Sequence, residues 1–199
     1  MQISQKGDGT SGIYVWGANL TQTSYLQSYI PTLGASVTRL ADAAYKTSVA
    51  GLIGDSAGFI YGELEGLTNT YGALTGILSV GDGTHNNNNI VFYFNAVDGY
   101  LTPRIYKGGS TIFVQDIYLG TLTDTFKFVI SYGGDRAVCY VNGTKEKDVS
   151  GLTFFADGTL TRLGFDRGDG GALNISKMKQ ILIGTSALTD AQCIELTTL

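Results

Sequence analysis

Phe126-Lys127-Phe128-Val129-Ile130-Ser131-Tyr132-Gly133-Gly134-Asp135 runs into Ala137-Val138-Cys139-Tyr140-Val141-Asn142-Gly143 and then into Thr144 to Val149. Successive side chains of a strand point to opposite faces, so the first run sets Phe126, Phe128, Ile130 and Tyr132 on one side. Gly133-Gly134-Asp135 supplies residues tolerant of positive φ, and a partner strand follows at once. Asn142-Gly143 is the pair favoured in a two-residue type I′ turn. The stretch from 126 to 149 therefore reads as a meander of three antiparallel strands.

The same punctuation recurs on either side. Runs of β-branched and aromatic residues, broken by Gly, Asp and Asn, predict strands near 13 to 18, 58 to 66, 74 to 80, 90 to 95, 101 to 107, 111 to 118, 160 to 165, 172 to 176 and 178 to 184. This is the pattern of an antiparallel sandwich or barrel. One helix start stands out: Thr189-Asp190-Ala191-Gln192 has capping-box spacing, with an acid in the first turn to suit the dipole. A short final helix is expected from Asp190 to about Thr197. Residues 1 to 45 have a different texture, with one strand-like run and a Ser/Thr/Gln-rich stretch. They are too few and too polar to bury a core of their own, so they read as a connector that docks on the sandwich of 46 to 199 or on a neighbouring subunit.

Composition narrows the function. The chain of 199 residues has 28 Gly, 15% charged residues and a net charge of -4, with no basic block to hold nucleic acid or an anionic membrane. No run of about eighteen apolar residues suggests a membrane helix, and Met1 to Gly9 lacks the apolar core of a secretory signal. Cys139 and Cys193 are too few for a disulfide framework and read as buried thiols.

Two loops carry candidate binding chemistry. Gly81 to Asn89 is dense in short amides and carboxylates, and Asp82, His85, Asn86 and Asn87 are its candidate ligand-binding residues, able to donate to and accept from sugar hydroxyls. Asp166-Arg167-Gly168-Asp169-Gly170-Gly171 is the second loop, and Asp166, Arg167 and Asp169 are its candidates. Two carboxylates three apart there also admit calcium, without the full ligand run of an EF-hand loop. Glu63 and Glu65 share a strand face with Cα atoms roughly 6.5 to 7 Å apart, compatible with the pair of a retaining glycosidase, and so define an enzymatic alternative. Arg167-Gly168-Asp169 is an integrin-type tripeptide short enough to match by chance, and without a secretory signal the sequons at Asn19, Asn142 and Asn174 read as structural asparagines. Trp16 alternates with Tyr14 on a strand and reads as a docking residue.

Tyr14-Val15-Trp16-Gly17-Ala18-Asn19-Leu20, then Ser28-Tyr29-Ile30-Pro31-Thr32-Leu33-Gly34-Ala35-Ser36-Val37-Thr38-Arg39 and Ala41-Asp42, resembles a junction of bacteriophage tail-fibre and tail-associated proteins. Asn19-Leu20-Thr21 departs from the Gln, Leu and Glu usual there. From about Gly54 onward, Leu78 to Gly83, the Tyr140-Val141-Asn142-Gly143 hairpin, Leu163-Gly164 and Ala187 to Gln192 together resemble a concanavalin A-like, laminin-G-like jelly-roll domain. The resemblance implies an all-β, antiparallel jelly-roll sandwich with a short C-terminal helix. It also implies a non-enzymatic virion component, made in the bacterial cytoplasm, that binds a host cell-surface glycan beside other tail proteins as a homo-oligomer, a trimer by family. The alternatives are a purely structural virion protein and a depolymerase using Glu63 and Glu65. Related glycosidases carry a third alternating acid, where this chain has Leu67.

Overall fold

The computed structural model describes residues 44–65, 74–95, 99–120, 125–171 and 177–199, all within one compact unit, Ala43–Leu199. The connector, Trp16 and the strands expected at 13 to 18 and 172 to 176 lie outside the described residues. The elements are β1 (Tyr45–Thr47), β2 (Gly58–Glu65), β3 (Leu74–Gly81), β4 (Asn89–Asn95), β5 (Tyr100–Lys107), β6 (Ser110–Val114), β7 (Ile117–Tyr118), β8 (Thr125–Gly133), β9 (Arg136–Val141), β10 (Thr144–Val149), β11 (Arg162–Gly164), β12 (Lys177–Gly184) and α1 (Asp190–Thr197). They form two antiparallel sheets. One is seven-stranded, in the order β1-β11-β3-β4-β5-β6 with β7 also on β5, and the other is five-stranded, in the order β10-β9-β8-β2-β12.

The meander of 126 to 149 is present as β8, β9 and β10. Asn142 and Gly143 both have positive φ, 48° and 79°, as a type I′ turn requires. Asn142 Oδ1 accepts from the Lys127 amide at 2.9 Å, which ties the turn back to β8. The other faces of the sequence pattern also resolve as expected: Phe126, Phe128, Ile130 and Tyr132 are buried between the sheets. Phe128 meets Phe92 of the opposite sheet with ring centroids 4.3 Å apart.

One expectation is corrected. The strand read across 111 to 118 is two strands, β6 and β7, because Asp116 leaves the ladder and its Oδ1 accepts from Thr102 Oγ1 at 2.7 Å. A strand at Tyr45–Thr47, which the sequence reading did not place, pairs with β11. Both end strands of the five-stranded sheet carry a bulge, between Lys145 and Lys147 in β10 and between Met178 and Gln180 in β12.

α1 starts as the capping box predicts: Gln192 N donates to Thr189 Oγ1 at 3.3 Å, and Thr189 N donates to Gln192 Oε1 at 2.9 Å. It packs on β8, β9 and β10, on the side of the five-stranded sheet away from the core. There Cys193 and Leu196 close over Val129, Val138 and Tyr140. Both thiols are free and buried; burial raises each, and Cys193 reaches about 11.

Candidate functional site

The register builds the outer face of the seven-stranded sheet row by row, because residues directly opposite in an antiparallel pair point the same way. Arg162, Gly81, Asn89 and Tyr106 form one row, and Tyr45, Gly164, Ser79, Val91 and Arg104 the next. Gly76, Tyr93 and Thr102 follow, and Tyr100 and Tyr118 lie beyond. Among the described residues no helix covers this face. The outer face of the other sheet carries α1.

Both predicted loops converge on this face. The loop after β3 is held by Asp82, whose Oδ1 accepts from Thr84 N at 2.8 Å and whose Oδ2 accepts from Asn87 Nδ2 at 2.8 Å and Asn88 Nδ2 at 3.1 Å. Asp82 and Asn87, expected to meet ligand, thus spend hydrogen-bonding capacity on each other, and Asn86 is exposed at the tip. His85 turns inward, its Nε2 2.5 Å from Tyr93 Oη and its ring edge-on to Tyr93 and Tyr106. The buried Asn89 joins the two loops by donating through Nδ2 to His85 O and Arg167 O, each at 2.9 Å.

The second loop crosses the sheet at Gly76, where a Cβ would run into the backbone of Asp166 and Arg167. Gly76→Ala is therefore expected to lift residues 166–168 from the face and to destabilise the protein by about 1–3 kcal/mol, read as a fall in the urea midpoint. Asp166, predicted as a ligand-binding residue and possible calcium ligand, is instead wholly buried. Its Oδ1 accepts from Arg162 Nη1 at 2.9 Å, Gly168 N at 2.6 Å and Ser79 Oγ at 3.2 Å, and its Oδ2 accepts from Arg162 Nη2. Burial alone would raise this carboxyl; the Arg162, Gly168 and Ser79 contacts outweigh it and hold it below the usual carboxylate range. Asp169 pairs with Arg167 at 3.0 Å and does not converge with Asp166. Among the described residues no group of three or more His, Cys, Asp or Glu side chains gathers as a cation site.

His85, Arg167 and Asp169 thus surround a floor that the sequence reading missed: Tyr93, Arg104 and Tyr106. Arg104 Cζ sits 5.6 Å over the Tyr93 ring, and its Nη1 donates to Tyr106 Oη at 3.1 Å. Burial, with the Arg167 and Arg104 guanidiniums, keeps His85 below the ordinary histidine range against the pull of Asp169, so it is neutral at pH 7. Burial, reinforced by Tyr106, pushes the Tyr93 phenol above the ordinary tyrosine value. The arrangement offers a neutral imidazole, two guanidiniums and one carboxylate above the buried Tyr93 and Tyr106 rings.

Glu63 and Glu65 lie on the far side of the molecule, on the outer face of the five-stranded sheet. Lys179 sits between them, 3.8 Å from Glu63 and 3.7 Å from Glu65. Glu63 also lines a groove of about 590 Å³ between α1 and strands β2 and β12, with Phe59, Tyr61 and Leu182 along its floor.

Solved structures share this architecture. The CBM40 carbohydrate-binding module of the Ruminococcus gnavus IT-sialidase, bound to α2,6-sialyllactose, aligns with a TM-score of 0.60 at 12% identity over 79% of this chain and 94% of that one. The heptameric SAP-like pentraxin of Limulus polyphemus gives 0.55 at 14% identity, over 81% of this chain and 78% of that one. The NanB sialidase of Streptococcus pneumoniae gives 0.60 at 11% identity over 77% of this chain, which spans only 26% of the sialidase. No family model matches the sequence, and no curated protein does. At these identities the likeness is one of fold, and the fold is an all-β, antiparallel jelly-roll sandwich shared with carbohydrate-binding modules and pentraxins.

Proposed function

We propose that the chain binds a host cell-surface glycan, without catalysis, on the outer face of its seven-stranded sheet. One observation carries the reading: on the sheet opposite α1, two separate loops bring His85, Arg167 and Asp169 together above the buried Tyr93 and Tyr106 and the half-buried Arg104. His85, Arg167 and Asp169 reach the surface and meet sugar hydroxyls with donors and acceptors, while Tyr93 and Tyr106, 1% and 7% exposed, hold His85 and Arg104 from beneath. The fold shared with a sialyllactose-bound module supports it. The tail-fibre role, the virion location and assembly into a homo-oligomer rest on the sequence resemblance of residues 14 to 42 and on the expectation that weak single sites act through avidity.

Adsorption of the protein to host cells, together with release of reducing ends from extracted surface polysaccharide, tests the proposal. His85→Ala with Arg167→Ala is expected to weaken adsorption at least tenfold, since each lost hydrogen bond costs on the order of 1 kcal/mol and more where charge is involved. Glu63→Gln with Glu65→Gln leaves adsorption unchanged. Sugar release by the parent that these glutamate substitutions abolish makes the protein an enzyme and overturns the reading.

A further inference from the structure

The proposed glycan surface holds two features that the loops alone do not explain. The first is a cation without a counterion. Of the four arginines among the described residues, Arg136, Arg162 and Arg167 each meet an aspartate. Arg104 meets only the Tyr106 hydroxyl and the Tyr93 ring, and its buried Nε has no hydrogen-bond partner. A donor left unmade in a half-buried guanidinium is costly, and the planar fork of Arg matches the two oxygens of a carboxylate.

The second is an aromatic pair further along the same strand. Tyr100, Thr102, Arg104 and Tyr106 share one face of β5, and Tyr100 lies four residues, about 13 Å, from Arg104. Tyr100 is 36% exposed and its cross-strand neighbour Tyr118 is 67% exposed. Their ring centroids are 5.5 Å apart at an interplanar angle of 56°. Gly99, with φ of 70°, seats Tyr118: its Cβ position is 3.5 Å from Tyr118 Cε2. Thr102 and Asp116, bonded to each other, lie between the pair and Arg104. Two adjacent exposed rings form an apolar platform, and its separation from Arg104 exceeds the length of one sugar ring.

We propose that this face takes an extended acidic polysaccharide rather than a single terminal sugar. The chain lies along β5, with a carboxylate of one residue on Arg104 and the ring of a later residue against Tyr100 and Tyr118. The inference rests on the glycan reading of the face and specifies its ligand.

The test is binding of the full chain to an array of uronate-containing, sialylated and neutral oligosaccharides, from single sugars to hexasaccharides, with thermal melts of every variant. Carboxylated probes are expected to bind, with affinity rising at least tenfold from single sugars to tetrasaccharides. Arg104→Gln lowers their affinity about tenfold or more, and Arg104→Lys restores only part, because a point charge replaces the fork. Tyr118→Ala, a surface change that leaves the melt unaltered, lowers tetrasaccharide affinity about fivefold and leaves single sugars as they were. Neutral glycans bound as tightly as acidic ones, or affinity independent of length, overturns this inference while His85→Ala sensitivity leaves the glycan reading standing. A parent that binds no probe overturns both.

Discussion

Replacing Asp166 with alanine lowers the stability of the sandwich by about 3–5 kcal/mol, because it strands the Arg162 guanidinium, itself only 8% exposed, without its anion. The same change frees Ser79 Oγ and Gly168 N of their acceptor, so the loop that carries Arg167 and Asp169 loses its anchor. Urea unfolding followed by far-UV dichroism reads the effect. A smaller loss is expected when Arg162→Met accompanies an apolar replacement of Asp166, since the uncompensated charge is then gone. The pH dependence has a definite sign. The folded-state carboxyl lies below its unfolded value of about 3.9, so its contribution is complete above that value and disappears as pH falls through the folded one. Acid unfolding of the parent should therefore begin below about pH 4 with a component that Asp166→Ala lacks.

Phe128→Ala is the other large effect, about 3–5 kcal/mol. The ring is fully buried, bridges the two sheets to Phe92, and lies where a Cβ on Gly62 would sit. Truncation leaves a hole bordered by a glycine, which has no side chain to collapse into it. Gly62→Ala in the same background is expected to recover part of the loss, whereas Gly62→Ala alone overpacks the site against Phe128 and destabilises. A double-mutant cycle on urea midpoints measures that opposition of signs.

The fold was legible where its determinants are local. Alternation through 126 to 132 and the Asn142-Gly143 turn specify β8, β9 and β10 within one stretch, and Thr189 with Gln192 specifies the start of α1. Where an element depends on its partner, the sequence was silent: Tyr45-Lys46-Thr47 is exposed along its length and becomes a strand only because β11 is beside it. The candidate site divides in the same way. Composition marked the two loops, yet it did not separate Asp166 from Asp169. The first is drawn inward by Arg162 four residues earlier, and the second stays at the surface with Arg167. Tyr93, Arg104 and Tyr106 did leave a signal, since Thr102, Arg104 and Tyr106 alternate with Leu101, Pro103 and Ile105. Which of the two sheets α1 packs against is a property of where the helix docks, and no single strand encodes it.

The bulges in β10 and β12 bear on how copies of this protein can associate. An unbroken outer strand is a template on which a second chain can add, edge to edge, without limit. Here the ladder is interrupted at Lys145–Lys147 and at Met178–Gln180, and both strands are rich in charge: Lys145, Glu146, Lys147 and Asp148 in one, Lys177 and Lys179 in the other. Joining two such edges would crowd these charges together across a broken hydrogen-bond row. Copies packed side by side at high local concentration would thereby be hindered from growing into fibrils through the five-stranded sheet.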